Sequence, residues 1–212
     1  ALLVLAIGYY LSYRPAFGVE RLDNLRFAEV DGHELFLDLY LPESSSPELV
    51  VYIHGGGWKG GSRSSCLVDW LVDYGYAVAS VDYRLTDQAI FPAQIHDCKA
   101  AIRWTRANAR RFRIDPDRIA TLGGSAGGHL SGFMGATNGI DRFEGEGDHR
   151  GITSRVQASV VMCGPMSLLL PHIVERVEKA AGKPEGDAII AFMGGALPAQ
   201  ETGIYREASP LT

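Results

Sequence analysis

Short apolar runs alternate with amphipathic stretches along most of the chain. The run Leu49–Ile53 is apolar at every position, which is typical of a strand buried on both faces of a parallel sheet. Comparable runs follow at residues 76–81, 118–122 and 156–162. Two earlier runs, residues 25–30 and 34–41, flank the dipeptide Asp31-Gly32 and predict an antiparallel hairpin.

Helical periodicity marks the segments between these strands. Residues 92–111 predict a long helix that begins at Pro92, with an inner stripe of Ile95, Cys98, Ile102 and Thr105. Residues 126–136 are mostly small, which suits a helix lying close against a sheet. Residues 62–74 predict a helix with an inner side of Leu67, Trp70, Leu71 and Tyr74. A hairpin followed by strand–helix units predicts an α/β fold, with a mainly parallel sheet and helices on both faces.

Composition excludes several classes of protein. The chain has 212 residues, 46% hydrophobic and 21% charged, which is ordinary for one soluble globular domain. Its net charge of -5 disfavours nucleic-acid binding, because phosphate recognition requires a basic face. The cysteines Cys66, Cys98 and Cys163 form no CxxC pair, so we expect three buried thiols and neither a disulfide framework nor a metal site.

The N-terminal residues 1–11 form an uninterrupted apolar run. It is shorter than the roughly 20 residues that a membrane-spanning helix needs, so no stable span is expected. One interpretation is the apolar part of a secretory signal, giving a leader over residues 1–18 and a secreted or periplasmic protein. The other interpretation is that this run forms a first helix or strand packed on the core of a domain at residues 19–212. A cytoplasmic location then stays open.

The segment Gly123-Gly124-Ser125-Ala126-Gly127 has the pattern GxSxG and lies between a predicted strand and a predicted helix. In that context the serine occupies a sharp turn, exposed above the strand end and at the positive end of the following helix. The pattern therefore predicts that Ser125 is a nucleophile. The alternative is a glycine-rich packing turn in which the serine is incidental.

The segment His54-Gly55-Gly56-Gly57-Trp58 directly follows the buried strand Leu49–Ile53. Acyl transfer places negative charge on the former carbonyl oxygen, and glycines let backbone N–H groups approach that oxygen closely. We expect the oxyanion donors to be the amides of Gly56, Gly57 and Ala126. A plain glycine-rich turn or a phosphate-binding loop is the alternative, although the latter lacks its lysine and serine or threonine here.

These two motifs, together with Asp82-Tyr83-Arg84-Leu85, resemble the α/β-hydrolase superfamily from about residue 24 onward. The resemblance is closest to its BD-FAE (bacterial feruloyl-esterase-like) branch. It is weaker to hormone-sensitive-lipase-like esterases, which usually carry an aspartate in place of Gly124. The resemblance implies an α/β-hydrolase fold without a cofactor. It also implies a serine carboxylesterase acting on small esters, for example acetyl or feruloyl groups on plant polysaccharide.

The catalytic acid and histidine of this superfamily follow the nucleophile in chain order. The resemblance places both after a lid, which we expect at about residues 164–208, and the chain ends before them. We therefore expect a C-terminally truncated domain that lacks its base and is inactive alone. Structural or solvent-facing roles are expected for His129, His149 and His172.

Other polar and aromatic residues near the motifs have supporting roles in this interpretation. We expect His54 to support the oxyanion loop by hydrogen bonding and Asp97 to be structural. Asp82 and Arg84 should make a fixed polar contact under the site. Trp58 and Tyr83 either form the wall of the acyl pocket or pack in the core.

Two other functions fit the same fold. A peptidase of the prolyl-oligopeptidase type shares the nucleophile turn, but the loop His54-Gly55-Gly56-Gly57-Trp58 disfavours it. A non-catalytic binding protein is the second alternative, because a fold does not determine a function.

Overall fold

A sheet of six strands organises the computed structural model, which describes residues 19–183 and 186–211. The strands are β1 (Glu20–Val30), β2 (His33–Leu41), β3 (Leu49–Ile53), β4 (Ala77–Val81), β5 (Ile119–Gly124) and β6 (Ala158–Met162). They lie side by side in the order β1-β2-β4-β3-β5-β6. The β1–β2 and β2–β4 pairs are antiparallel and the others are parallel. The predicted α/β fold is confirmed, whereas the predicted leader lies outside the described residues.

Helices pack on one face of this sheet, and a 3-10 helix packs on part of the other face. They are α1 (Ala93–Ala107), α2 (Ala109–Phe112), α3 (Ala126–Ala136), α4 (Pro171–Ala180), α5 (Ala188–Phe192) and α6 (Thr202–Glu207), with 3-10 helices at Asp69–Tyr74 and Asp141–Phe143. The main core joins one sheet face to α1 and α3. A smaller cluster joins the other face to the first 3-10 helix. No helix in the described residues has both the length and the apolar character needed to cross a membrane.

The helix predicted over residues 62–74 is wrong for most of its length. Only Asp69–Tyr74 is helical, and the residues expected inside, such as Leu67 and Tyr74, are 70% and 66% exposed. The cause is Arg63, whose carbonyl accepts a hydrogen bond from the Ser80 hydroxyl at 2.7 Å. The Arg63 side chain also pairs with Asp38 and Asp82, on neighbouring strands or just beyond them. These contacts hold the backbone near Arg63 outside a helix.

A buried group of charges attaches α1 to the loop after α3. Lys99 and Arg103 lie on α1 with almost no exposed surface, and burial lowers the pKa of both groups. Both contact the Glu144 carboxylate at 2.9 Å. Lys99 also donates to the Ser154 hydroxyl at 3.1 Å. A buried cation without a partner is strongly destabilising, so Glu144 holds this loop against α1.

The junction of β5 with α3 requires main-chain segments to lie very close together. A Cβ atom placed on Gly127 would lie 2.0 Å from the Ile53 carbonyl oxygen, at the end of β3. A Cβ on Gly123 would lie 2.3 Å from the Gly127 carbonyl oxygen, and one on Gly164 would lie 2.5 Å from the His129 amide nitrogen. These positions accept only glycine without movement of the backbone.

His129 belongs to the core directly beneath this junction. Its side chain is fully buried, and Nε2 donates a hydrogen bond to the Ala208 carbonyl at 2.8 Å. The ring meets Trp58 edge-on, with ring centroids 5.2 Å apart. Burial lowers the pKa of His129 to about 4. The neutral ring thus ties α3 to the segment after α6, in agreement with the structural role expected from the sequence.

We predict that Gly127→Ala destabilises the protein by at least about 2 kcal/mol, because the added carbon would overlap the Ile53 carbonyl. Gly203→Ala on α6 is the matched control. Nothing lies within 4 Å of a Cβ at Gly203, so alanine should stabilise that helix by up to about 1 kcal/mol. Urea unfolding of the two variants measures both effects. Equal stability of the two variants would contradict the close approach.

We predict that burial of neutral His129 makes the protein less stable in acid. The unfolded chain binds a proton at this ring below the ordinary pKa of 6.5, whereas the folded chain binds it only below about 4. The stability that neutral His129 contributes is therefore complete above pH 6.5 and is lost as the pH falls toward 4. It does not change further below pH 4. Urea unfolding at pH 7 and pH 4.5 should show wild type losing about 2 to 3 kcal/mol more than His129→Gln. The same loss in both proteins would contradict this assignment.

Candidate active site

Ser125 occupies a strained turn between the end of β5 and the start of α3. Its φ of 55° and ψ of -121° are rare for a residue with a side chain. Its amide donates to the Met162 carbonyl at 2.8 Å, and its carbonyl accepts from the His129 amide at 3.0 Å. Strain of this kind persists only where the surroundings enforce it, and it concentrates at functional sites. Ser125 is exposed above the strand end, at the N-terminus of α3, which favours negative charge.

The glycine loop after β3 packs against this turn. A Cβ on Gly55 would lie 2.9 Å from the Gly124 carbonyl oxygen. Gly56 and Gly57 both have positive φ values, 111° and 63°. Gly57 and Ala126 line the same cavity as Ser125, whereas Gly56 turns its carbonyl to the Lys59 amide at 3.2 Å and does not line the cavity. The amides of Gly56, Gly57 and Ala126 stay the predicted oxyanion donors, and Gly57 and Ala126 are the two of these residues that line the cavity.

His54 and Tyr83 support the glycine loop from behind. The His54 Nδ1–H donates to the Gly55 carbonyl at 2.7 Å, and burial lowers the pKa of His54. The Tyr83 ring stacks on His54 at 4.3 Å, and its hydroxyl donates to the His54 carbonyl at 3.0 Å. Tyr83 is thus buried behind the loop and does not line the cavity at Ser125. The sequence interpretation that makes Tyr83 an acyl-pocket wall is replaced by its alternative, core packing.

Trp58 does reach the cavity, although little of its surface is exposed. It lines the cavity beside Ser125, and its ring stacks on Phe192 of α5 with centroids 4.5 Å apart. The same ring meets the edge of His129. Trp58 therefore connects the glycine loop to both α3 and α5.

The cavity at Ser125 has a volume of about 740 Å³. Much of its wall comes from the segment after β6, the expected lid. Part of this wall is apolar: Met166, Leu170, Ile173 and Ile189. Another part is polar: His172, Arg176 and Asp187. A space of this size accepts a small ester beside the serine.

The cysteines differ from the sequence expectation. Cys98 is fully buried, Cys66 is half-buried, and Cys163 is exposed in the cavity wall beside Ser125. Cys163 follows β6 directly, where the chain leaves the sheet, and that position gives it access to the cavity. All three are free thiols. Within the described ranges, no cluster of histidine, cysteine or acidic side chains could hold a metal ion.

The polar residues under the site form two separate groups, each around one arginine. Arg84 binds Asp97 through three nitrogen–oxygen contacts of 2.9 to 3.2 Å, and it also contacts Asp31. Asp82 instead pairs with Arg63. The expected contact between Asp82 and Arg84 is therefore wrong, because each residue has a different partner. The expected structural role of Asp97 is confirmed.

The three later histidines occupy different environments. His129 is held by Ala208, His149 is exposed in a loop, and His172 lines the cavity from α4. Across residues 19–183 and 186–211, no side chain hydrogen-bonds to the Ser125 hydroxyl. The described part of the chain thus supplies a positioned serine and an oxyanion loop without a paired base.

Known proteins resemble this chain in sequence and in fold. The BD-FAE family profile matches residues 37–212. Esterase LipC of Mycobacterium tuberculosis is 37% identical over 109 residues, covering 50% of this chain and 27% of LipC. The chain spans between 25% and 38% of the length of the curated relatives it matches.

Two solved structures resemble nearly the whole chain. A bifunctional GH43-CE protein of Bacteroides eggerthii has a TM-score of 0.77 at 33% identity, over 91% of this chain and 26% of that one. A truncated form of a carbohydrate esterase from gut microbiota has a TM-score of 0.78 at 29% identity, over 94% of this chain and 74% of that one. Because the family profile covers most of the sequence, including both the glycine loop and the nucleophile turn, the chain belongs to the BD-FAE family of α/β-hydrolases.

Proposed function

We propose that the protein containing this chain is a serine carboxylesterase that hydrolyses small acyl esters through an acyl-enzyme on Ser125. The observation that carries the proposal is the convergence of Ser125, Gly57 and Ala126 on one cavity. The strained serine turn and a glycine loop against it are the two parts that acyl transfer needs from the backbone.

The reaction follows from these positions. The Ser125 oxygen attacks the ester carbonyl carbon, and negative charge develops on the carbonyl oxygen. The amides of Gly56, Gly57 and Ala126 donate hydrogen bonds to that oxygen, assisted by the positive end of α3. The alcohol leaves with a proton, and water then hydrolyses the acyl-enzyme. The base that takes the serine proton is, in this proposal, a histidine held by an acid, which follow the nucleophile in chain order.

The relatives support esters, and carbohydrate esters in particular, as the substrate class. One relative, from Pseudomonas putida, is an ethyl acetate hydrolase that is 37% identical over 120 residues. A carbohydrate esterase is among the structural neighbours. Acetyl or feruloyl groups on a carbohydrate are the acyl groups that we propose.

A non-catalytic binding protein is the second candidate. It is favoured by one observation: the Ser125 hydroxyl has no base hydrogen-bonded to it within the part of the chain that the structure describes. The two candidates differ in whether Ser125 is required for turnover.

We predict that the natural gene product containing this chain hydrolyses p-nitrophenyl acetate. Ser125→Ala should lower the rate at least about 10³-fold, because the variant has no oxygen to form the acyl-enzyme. Initial rates at 405 nm measure this loss. Ser65→Ala, at an exposed serine away from the cavity, is the matched control and should keep the wild-type rate. A wild type no faster than Ser125→Ala would favour the binding protein instead.

A further inference from the structure

The cavity at Ser125 adjoins a second cavity along α4. The second cavity has a volume of about 500 Å³, and the two share His172, Arg176 and Asp187 in their walls. We refer to these two adjoining cavities together as the cleft.

The chemistry of the wall changes along this cleft. Beyond the apolar residues near Ser125, the lining becomes charged: Glu175, Arg176, Lys179, Lys183 and Asp187. Among the described lining residues of this far section, three cations face two carboxylates. A negatively charged ligand group would complement the cations that line this section.

Arg176 lines both cavities and is paired there with Asp187. Its Nε is 2.9 Å from Oδ2 of Asp187, whose side chain is only 12% exposed. The other carboxylate oxygen of Asp187 accepts the Ile189 amide at 2.8 Å, at the start of α5. Asp187 is therefore itself held in place, and it orients the guanidinium.

The rest of the Arg176 guanidinium is available to a ligand. The side chain is 60% exposed, and within residues 19–183 and 186–211 its Nη atoms have no partner. Lys179, by comparison, is paired with Glu175 at 2.5 Å. A guanidinium with free N–H groups binds a carboxylate through two parallel hydrogen bonds.

Building on the proposed esterase function, we infer that Arg176 determines specificity by binding a carboxylate of the substrate. The apolar section of the cleft separates this carboxylate from the ester at Ser125. Among carbohydrate esters, the preferred substrates are thus esters of acidic sugars, with a uronic acid as the acidic unit.

Binding of two simple glycosides to this chain tests the inference without requiring turnover. The probes are methyl glucuronide and methyl glucoside, which differ in a carboxylate, and saturation-transfer NMR measures their affinities at constant ionic strength. Wild type should bind the glucuronide at least about tenfold more tightly, as expected for a charge-assisted pair. Arg176→Gln should bind the two glycosides equally, and Arg176→Lys should keep only part of the preference.

The matched control is Arg142→Gln, the same substitution at an arginine outside the cleft. Arg142 is 64% exposed and is also paired with a carboxylate, that of Glu207 at 3.1 Å. It should keep the full preference for the glucuronide. An equal loss in Arg142→Gln would attribute the preference to net charge and overturn the inference. A wild type that does not prefer the glucuronide would also overturn it.

The same probes separate this inference from the proposed function. Ser125→Ala should keep the preference for the glucuronide, because the serine does not contact the carboxylate in this arrangement. If the gene product shows no serine-dependent hydrolysis but Arg176 still selects the glucuronide, only the esterase proposal fails. If hydrolysis depends on Ser125 and Arg176→Gln leaves the preference intact, only the carboxylate assignment fails.

Discussion

The arrangement at Ser125 depends on one steric constraint, the contact of bare backbone between β3 and the start of α3. The Ile53 carbonyl lies where a side chain on Gly127 would have to stand. This contact brings the loop after β3 against the serine turn, so that Gly57, Ala126 and Ser125 share a cavity. Because backbone atoms make this contact, repacking of side chains cannot make room for a residue larger than glycine at position 127. A hydrogen bond to the Met162 carbonyl and one from the His129 amide then hold Ser125 in a conformation that it would not adopt alone.

The sequence predicted a strand or helix well where the residues of that segment determine its structure by themselves. The bounds of Leu49–Ile53 and of α3 agree with the structure, because a fully apolar run and a glycine motif each determine their own segment. The predicted helix at residues 62–74 failed because its backbone is held by Asp38 and Asp82. Apolar spacing carries no information about partners on other strands. Similarly, α1 ends at Ala107 rather than at residue 111, and the side-chain amide of the next residue, Asn108, donates to the Trp104 carbonyl.

The candidate site was predictable only in its motifs. Ser125, Gly57 and Ala126 stand out because few residue types can occupy such a turn and loop. Arg176 and Asp187 belong to a segment without a motif, and only packing of α4 beside α5 brings them to the cleft. The position of Tyr83 behind the glycine loop depends on the ring of His54, which sequence proximity to a motif does not reveal.

Asp187 contacts both Arg176 and α5, and it therefore connects the charged section of the cleft to the helix beside the glycine loop. The same carboxylate that orients Arg176 also caps α5, a helix of five residues. That helix carries Phe192, on which Trp58 of the glycine loop is stacked. A ligand that competes with Asp187 for the Arg176 guanidinium would alter the cap of α5. A change in this helix would alter the packing of Phe192 against Trp58 in the glycine loop. In the proposed enzyme, one short helix therefore connects the residues that bind the distant end of the substrate to those beside the scissile bond.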